Sequence, residues 1–267
     1  MTGVKVAFSK VPEVTLGFWI IKILATTLGE TGGDAVTMSL LHADKDAHNG
    51  GYLIGAGVFM ALFVAAVIVQ IAMKSFRPAV YWLTIAATTT VGTALADFAD
   101  RSLGVGYAGG SLILFALLLA SLVVWRWSEG TVSVNSVTTP RAEVFYWATI
   151  LFSQTLGTAL GDWVAATNGF GYENAALVFG AALAILAAAY FFTNASRVFL
   201  FWAAFILTRP LGATLGDLFD KPVAQGGFEF GRFTATAILA AAMVVLILVI
   251  PRRSGAHPGR ASAAPAE

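Results

Sequence analysis

The chain has 267 residues, of which 58% are hydrophobic and 12% are charged, and its mean hydropathy is +0.78. A soluble domain carries about 25% charged residues, so this composition excludes a soluble globular protein. The net charge of +1 creates no field that favours nucleic acid as a partner, and the lack of cysteine excludes disulfides, iron–sulfur clusters and thiolate metal sites.

Uncharged segments mark candidate membrane crossings along the chain. They lie at 47–73, 78–96, 102–125, 144–161 and 174–196. Most of them reach the ~17 to 25 residues that a helix needs to cross a bilayer. We therefore predict a polytopic membrane protein, with the lipid bilayer as its surroundings. A single transmembrane domain is expected over 1–251, followed by a disordered cytoplasmic tail at 252–267.

A fourfold internal repeat organises this domain. An aromatic residue followed by Trp recurs at Trp19, Trp82, Trp147 and Trp202, and each Trp precedes a Gly by ten positions and an Asp by fifteen. A second aromatic residue then opens an apolar segment, so each repeat predicts two membrane helices, over about 12–73, 78–126, 140–193 and 197–250. A unit with an even number of crossings repeats in one orientation. The predicted fold class is therefore all-α, with eight transmembrane helices from four parallel two-helix repeats in a pseudo-fourfold arrangement.

The distribution of basic residues predicts the orientation of these helices. Ten Lys and Arg residues fall in segments on the side of the N terminus, against four on the opposite side. By the positive-inside rule both termini are cytoplasmic, and the repeated Asp residues lie toward the outer face. The repeated Trp residues and the later Tyr residues are typical of the two aromatic belts of a membrane protein.

Small residues recur ten and fourteen positions after each Trp. They predict close helix packing, because small side chains let helix backbones approach each other in lipid. The glycines concerned are Gly29, Gly33, Gly92, Gly157, Gly161, Gly212 and Gly216. We expect the first helix of each repeat to lie inside the protein and the apolar second helix to lie outside.

A polar stripe follows the neighbouring helix face, at every fourth residue. It contains Thr26, Thr93 and Thr158, and it ends in each copy at the repeated Asp, namely Asp34, Asp97, Asp162 and Asp217. Lys22, Glu30 and Arg209 also lie on it, where a charge facing lipid costs roughly 2.5 to 3.5 kcal/mol. One interpretation is an ion pair that fixes assembly, between Glu30 and either Arg209 or Lys22. The other is a site in which these charges couple to a transported ion.

The repeated Asp residues have two interpretations as well. A carboxylate at a helix C-terminus opposes the helix dipole, so it needs a partner. Either each Asp caps the next loop or bonds a neighbouring aromatic residue, or the four form a carboxylate ring that binds a metal. Separately, His42, Asp44, Asp46 and His48 alternate in the first outer loop. They form either a solvated loop or a second metal site.

The fourfold pattern, whose first copy reads GFWIIKILATTLGETGGD, resembles a bacterial membrane-protein family defined as a tandem repeat of unknown function and labelled membrane-anchored. The resemblance covers about residues 13–250. It implies an eight-helix protein of the bacterial inner membrane. It implies no activity, so the functional expectation rests on the residues.

These residues predict a transporter, a secondary carrier or exporter, of a small hard cation such as Mn²⁺. Its ligands would be Glu30 and the four Asp residues, with Thr26, Thr93 and Thr158 in support. Five carboxylates face only Lys22 and Arg209, which would be displaced as the ion binds. Oxygen ligands suit Mn²⁺ or Mg²⁺ as substrate, and no resident cofactor is expected.

Other functions remain as alternatives. They are transport of an organic ion, or a scaffold or accessory role without transport, and homo-oligomerisation is left open. An enzyme is not expected, because no His lies in a predicted span to hold haem.

The orientation is testable with reporter fusions. Fusions after Lys74, after Glu129 and at the C terminus should all report a cytoplasmic location, because the basic residues cluster on that side. A reporter in the 35–50 loop should instead be accessible from outside. A periplasmic C terminus would contradict the parallel-repeat topology.

Overall fold

The structure is a computed structural model that describes residues 9–43, 45–46, 48, 50–250 and 254–255. These residues form helices and loops without a strand, apart from one isolated β-bridge between Pro12 and Ser254. The predicted tail at 252–267 lies outside the described residues, except for Ser254 and Gly255.

Eight α-helices follow in chain order, two from each repeat. The first helices of the repeats, here called the motif helices, are Leu16–Asp34 (α1), Pro78–Asp97 (α3), Pro140–Ala166 (α5) and Arg197–Asp220 (α7). The second helices, here called the outer helices, are Gly51–Ala72 (α2), Tyr107–Glu129 (α4), Gly171–Phe192 (α6) and Arg232–Val249 (α8). Short π-helical segments at Ala35–Leu40 and Phe98–Ser102 continue α1 and α3.

Hydroxyl and proline residues fix where the motif helices begin. The side chains of Thr15, Thr139 and Ser196 each accept a hydrogen bond from a backbone N–H in the first turn. Pro78 and Pro140 occupy the start of α3 and α5, where the missing N–H would have no partner in any case.

The four motif helices form a closed ring, in which α1 and α5 each pack against both α3 and α7. Glycines set the close approach at each boundary. A Cβ atom at Gly29 would clash with Thr89 of α3, and one at Gly33 would lie within 3.1 Å of Thr93. Because both pairs are four residues apart in the same direction, the two helices run parallel.

The same relation holds at the other boundaries, between a glycine of one motif helix and the polar stripe of the next. It joins Gly92 to Gln154, Gly157 to Arg209, Gly161 to Ala213, Gly212 to Thr26 and Gly216 to Glu30. The glycines singled out in the sequence thus lie where the helices touch.

Each outer helix packs mainly against the motif helix of the next repeat. Thus α2 packs on α3, α4 on α5 and α6 on α7, while α8 packs on α1 and closes the circle. The sequence placed these helices outside but did not predict this exchange of partners. The protein is held together because every repeat depends on the following one.

Within the described residues, six helices are long and apolar enough to cross a membrane: α2, α3, α4, α6, α7 and α8. Helix α1 is not among them and carries Lys22, Glu30 and Asp34, and α5 carries charges near both of its ends. At most 22% of the apolar stretch of each outer helix is buried, against 61% in α3 and α7. Such an apolar exterior is compatible with a multi-pass membrane protein.

Aromatic residues fill the ring at the N-terminal ends of the motif helices, here called the aromatic end. Trp82, Trp147 and Trp202 are buried there, and the hydroxyls of Tyr81 and Tyr146 lie 2.6 Å apart. The expectation that the repeated Trp residues form a membrane-interface belt is wrong for these three, because each ring is buried against an aromatic residue of the preceding motif helix: Phe18 for Trp82, Tyr81 for Trp147 and Tyr146 for Trp202. The opposite end, where the repeated Asp residues lie, is here called the carboxylate end.

The effect of replacing a glycine by alanine on the stability of the protein should depend on whether that glycine lies at a boundary between two motif helices. Gly29→Ala should lower the melting temperature in detergent, because its Cβ meets Thr89 and overpacking costs about 1–3 kcal/mol. Gly57→Ala on α2 has open space around its Cβ and should leave the melting temperature unchanged or raise it. Equal melting temperatures for the two variants would contradict the packing described here.

Candidate functional site

The polar stripe faces the interior of the ring. Its predicted residues are all buried: Lys22, Thr26, Glu30, Asp34, Thr93, Asp97, Thr158, Asp162, Arg209 and Asp217. Because the glycines occupy the helix boundaries, the adjacent face at every fourth residue points inward. The ring is thus polar inside from its middle to the carboxylate end, whereas its aromatic end is filled by apolar side chains.

A hydrogen-bonded group at the middle of the ring, here called the central network, joins all four motif helices. Arg209 Nη2 of α7 lies 2.8 Å from Glu30 Oε2 of α1 and 2.6 Å from Thr93 Oγ1 of α3, and it is also within hydrogen-bond distance of Thr158 Oγ1 of α5, so its two hydrogens are shared among three acceptors. Thr93 also lies within hydrogen-bond distance of Glu30 Oε2, at 3.2 Å. Of the two ion pairs left open by the sequence, the structure therefore forms the one between Glu30 and Arg209.

Lys22 lies apart from this network, toward the aromatic end. Its Nζ donates to Gln154 Oε1 at 3.4 Å and sits 4.2 Å from the centre of the Phe205 ring. Among the described residues no carboxylate lies within ion-pair distance of it. The pairing of Lys22 with Glu30 is absent from this structure.

Thr26 is also kept away from the carboxylates. Its hydroxyl donates across the helix boundary to the backbone oxygen of Thr208, at 3.1 Å, and to carbonyls of its own helix. Its observed role is therefore packing between α1 and α7.

Two basic residues join the four repeated Asp residues in pairs. Arg101 lies 2.8 Å from Asp97 and 3.6 Å from Asp162. Lys221 hydrogen-bonds Asp34 and lies 3.0 Å from Asp217. The sequence predicts both residues in loops, among the four basic residues on the side opposite the N terminus.

The spacing of residues in the sequence could have predicted two of these ion pairs, those of Arg101 with Asp97 and of Lys221 with Asp217. Arg101 and Lys221 each stand four residues after the Asp of their own repeat, which is one helical turn, and such pairs meet on a helix surface. In the first and third repeats the same position holds Met38 and Ala166. The basic partners thus occur in alternate repeats.

These partners change the charge of the site. Five carboxylates now face four basic side chains, because Arg101 and Lys221 join Lys22 and Arg209. The excess is one negative charge, and it stays one when the buried Asp220 and its ion-pair partner Arg232 are both counted. A bound cation must therefore displace a basic side chain rather than enter an open anionic ring.

The Asp residues do not cap helix ends as one interpretation proposed. Helices α5 and α7 continue beyond Asp162 and Asp217, to Ala166 and Asp220. Asp34 and Asp97 are followed by π-helical turns, and neither side chain makes a capping hydrogen bond there. Their side chains are oriented by basic partners instead.

Three carboxylates from different helices converge at one point. Glu30 of α1, Asp162 of α5 and Asp217 of α7 each offer an oxygen atom, and these atoms lie within 4.8 Å of one another. This group is called the inner cluster. Ca²⁺ and Mg²⁺ hold their oxygen ligands at about 2.0 to 2.6 Å, so two ligands on opposite sides of such an ion are about 4 to 5 Å apart. The spacing of the three oxygens therefore suits one hard cation between them.

A second group, here called the outer cluster, consists of Asp34, Asp217 and Asp220, again with oxygen atoms within 4.8 Å of one another. Asp217 thus belongs to both clusters. Asp34 Oδ1 and Asp97 Oδ2 are buried and have no hydrogen-bond partner within the described part of the chain. Buried oxygens of this kind cost about 1–3 kcal/mol unless a further group satisfies them.

A small cavity reaches the inner cluster from the carboxylate end. It has a volume of about 130 Å³, and its polar lining consists of Arg101, Tyr107, Asp162 and Tyr172. Asp162 is 8% exposed, more than the other ring Asp residues. The cavity gives this carboxylate the most direct contact with the exterior.

The first outer loop is built differently. His48 Nδ1 lies 3.9 Å from Asp46 Oδ1, and both side chains are exposed. His42 has a positive φ of 55°, and Asp44 lies outside the described residues. Among the described residues of this loop, no three side chains come together as metal ligands.

The central network predicts coupled effects of substitution. Glu30→Gln or Arg209→Gln alone should strongly lower the melting temperature in detergent, because losing one partner leaves a buried charge at a cost of about 3–5 kcal/mol. The double variant should be less harmful than the sum of the two. The pair of the half-buried Glu129 and the exposed Arg141, 3.4 Å apart near the surface, gives the control, with coupling near zero. Strict additivity at Glu30 and Arg209 would contradict their interaction.

The four repeats correspond to one known protein family. The chain matches the family described as Repeat of Unknown Function (DUF347) in four tandem copies, over 17–76, 80–131, 145–196 and 200–255. No curated protein and no solved structure matched the chain. Each copy contains one motif helix and the outer helix that follows it. Since the four copies cover most of the sequence, the chain belongs to the DUF347 repeat family.

Proposed function

We propose that this protein is a membrane transporter of a small hard cation, with Mn²⁺ as the first candidate substrate. The observation that carries the proposal is the inner cluster, in which Glu30, Asp162 and Asp217 converge from three helices inside the ring. All eight helices cross the bilayer in this proposal. The ring of motif helices has pseudo-fourfold symmetry around the ion pathway.

Burial of so many charges supports binding over a purely structural role. Ion pairs taken out of water contribute little to stability, because the desolvation of both charges offsets their attraction. An apolar core holds helices together without this cost. Ionisable residues inside a membrane protein are instead typical of ion and proton pathways.

The ligand chemistry selects a hard cation. Carboxylate oxygens suit Mn²⁺, Mg²⁺ and Ca²⁺, whereas Zn²⁺ and copper favour imidazole or thiolate ligands. The motif helices contain neither His nor Cys. The cavity of about 130 Å³ is far smaller than the ~300 Å³ at which organic-ligand pockets begin, which disfavours the alternative of an organic ion.

Charge exchange supplies the coupling. An ion bound between Glu30, Asp162 and Asp217 takes the place of Arg209 at the Glu30 carboxylate. Arg209 then keeps the hydroxyls of Thr93 and Thr158 as partners. The network therefore retains hydrogen bonds in both states, and the loaded state differs from the empty one by the position of one guanidinium group.

The two ends of the ring support alternating access. The aromatic end is filled by Trp82, Trp147, Trp202 and their neighbours. At the carboxylate end, ion pairs cover the inner cluster, and the small cavity that reaches Asp162 connects the cluster to the exterior. We place the aromatic end and both termini in the cytoplasm of a bacterial inner-membrane protein, in keeping with the excess of basic residues on that side.

Ion-dependent stability tests this function. Mn²⁺ should raise the melting temperature of the purified protein, since an ion that binds only the folded state stabilises it by about 2.7 kcal/mol at a hundred times its Kd. Asp162→Asn should weaken this effect and slow Mn²⁺ uptake into proteoliposomes. Asp46→Asn in the exposed loop is the matched control and should behave as the unsubstituted protein.

Two outcomes would overturn the proposal. One is a melting temperature that ignores Mn²⁺, Mg²⁺ and Ca²⁺ at millimolar concentrations, which would favour a scaffold or accessory role. The other is a loss of the ion effect in Asp46→Asn but not in Asp162→Asn, which would move the site to the first outer loop.

A further inference from the structure

We propose a second cation site at the carboxylate end, formed by Asp34, Asp217 and Asp220, in which the ammonium group of Lys221 takes the place of the ion when none is bound. The site takes the same class of ligand as the inner cluster, a hard divalent cation. This inference rests on the proposed function, because Asp217 belongs to both clusters.

The position of Lys221 carries the argument. Its Nζ hydrogen-bonds Asp34 and lies 3.0 Å from Asp217 Oδ1 and 4.0 Å from Asp220 Oδ1. One ammonium group thus stands among three carboxylates that are close enough together to share one cation. Lys221 is itself buried, at 5% exposure.

The carboxylates of this site are incompletely satisfied by the protein. Within the described residues, neither oxygen of Asp220 has a hydrogen-bond partner, and neither has Asp34 Oδ1. The side chain of Asp220 is fully buried, and its nearest cationic nitrogens are Lys221 Nζ at 4.0 Å and Arg232 Nε at 3.8 Å. These distances leave Asp220 without a hydrogen bond, so its oxygens are available as metal ligands.

A lysine is suited to exchange with an ion. Its ammonium is a compact charge at the end of a flexible stem, whereas the guanidinium of an arginine is a planar fork. Lys221 is anchored through its backbone, because its N–H donates to Asp217 O at 2.9 Å and its carbonyl accepts from Glu229 N at 3.0 Å. The side chain can therefore swing away while the main chain stays in place.

Arg101, at the equivalent position of the second repeat, is tied differently. It bridges Asp97 and Asp162 and also donates to the hydroxyl of Tyr52 at 3.5 Å. Within the part of the chain that the structure describes, no hydrogen bond or ion pair joins it to Asp34, Asp217 or Asp220. This residue therefore provides a matched control for the removal of a basic side chain from the ring.

Two sites that share Asp217 give the ion a continuous path. An ion that displaces Lys221 from the outer cluster remains bound to Asp217 as it moves toward Glu30 and Asp162. When the ion has moved on, Lys221 returns and neutralises the vacated carboxylates.

The test measures the binding of Mn²⁺ to the full-length protein by equilibrium dialysis. In the unsubstituted protein a second ion must displace Lys221, so Lys221→Met should lower the Mn²⁺ concentration at which the second ion binds by about tenfold or more. Adding Asp220→Asn to that variant should remove the gain, because Asp220 belongs only to the outer cluster. Arg101→Met should produce no such Asp220-dependent gain. An unchanged affinity for the second ion in Lys221→Met, or a gain that survives Asp220→Asn, would overturn the outer site.

If Lys221→Met does not fold, a measurement on the unsubstituted protein tests the exchange of Lys221 with the ion. In the unsubstituted protein, saturating Mn²⁺ should increase acetylation of Lys221 by an amine-reactive reagent, read by mass spectrometry, with the exposed Lys45 as internal reference. Unchanged labelling would then overturn the exchange of Lys221 with the ion.

These results separate the two proposals. A single ion that is lost in Asp162→Asn, with no gain in Lys221→Met, upholds the transporter and overturns the outer site. A gain that depends on Asp220, without any ion that depends on Asp162, upholds the outer site and overturns the inner one.

Discussion

The close approach of the motif helices is the constraint on which the rest of the structure depends. At Gly29, Gly157 and Gly212 the next helix lies so near that a single added methyl group would overlap it. A ring this narrow brings side chains of all four helices within one hydrogen bond of a common point, where Arg209 meets Glu30, Thr93 and Thr158. In lipid no hydrophobic force favours such a ring over separate helices, so packing and polar contacts must stabilise it.

Charge balance inside the ring follows from this geometry. The carboxylates are buried, so each needs a basic partner within the reach of a side chain. The second and fourth repeats supply these partners as Arg101 and Lys221, each of which extends to the Asp of the following repeat. The outer helices follow the same cyclic order, because each of them packs against the motif helix of the next repeat. In both the polar interior and the apolar exterior, residues of one repeat thus contact the motif helix of the following repeat.

The sequence predicted the repeats, the eight helices and the inward position of the stripe, because spacing alone determines which residues share a helix face. It could not predict where the outer helices pack. Those helices are apolar on all sides, so no face of α2 distinguishes α1 from α3 as a partner. It also misplaced Trp82, Trp147 and Trp202, since an indole side chain suits a membrane interface and a buried aromatic cluster equally well. The roles of Arg101 and Lys221 depended on the reach of long side chains across helix boundaries, which a pattern within one helix does not contain.

The packing of α8 on α1 has a consequence for biogenesis. Helix α1 leaves the ribosome first, yet its neighbours α7 and α8 are made last, and Glu30 is separated from Arg209 by 179 positions. At the usual ~5–20 residues per second, about 9 to 36 seconds pass between the synthesis of the two residues. During that time α1, which carries Lys22 and Glu30, lacks both Arg209 as the partner of Glu30 and α8 as the outer helix that packs on it. In the proposed topology of eight crossings, the insertion machinery must therefore shelter α1, or hold it at the membrane surface, until the last repeat is made and the ring closes.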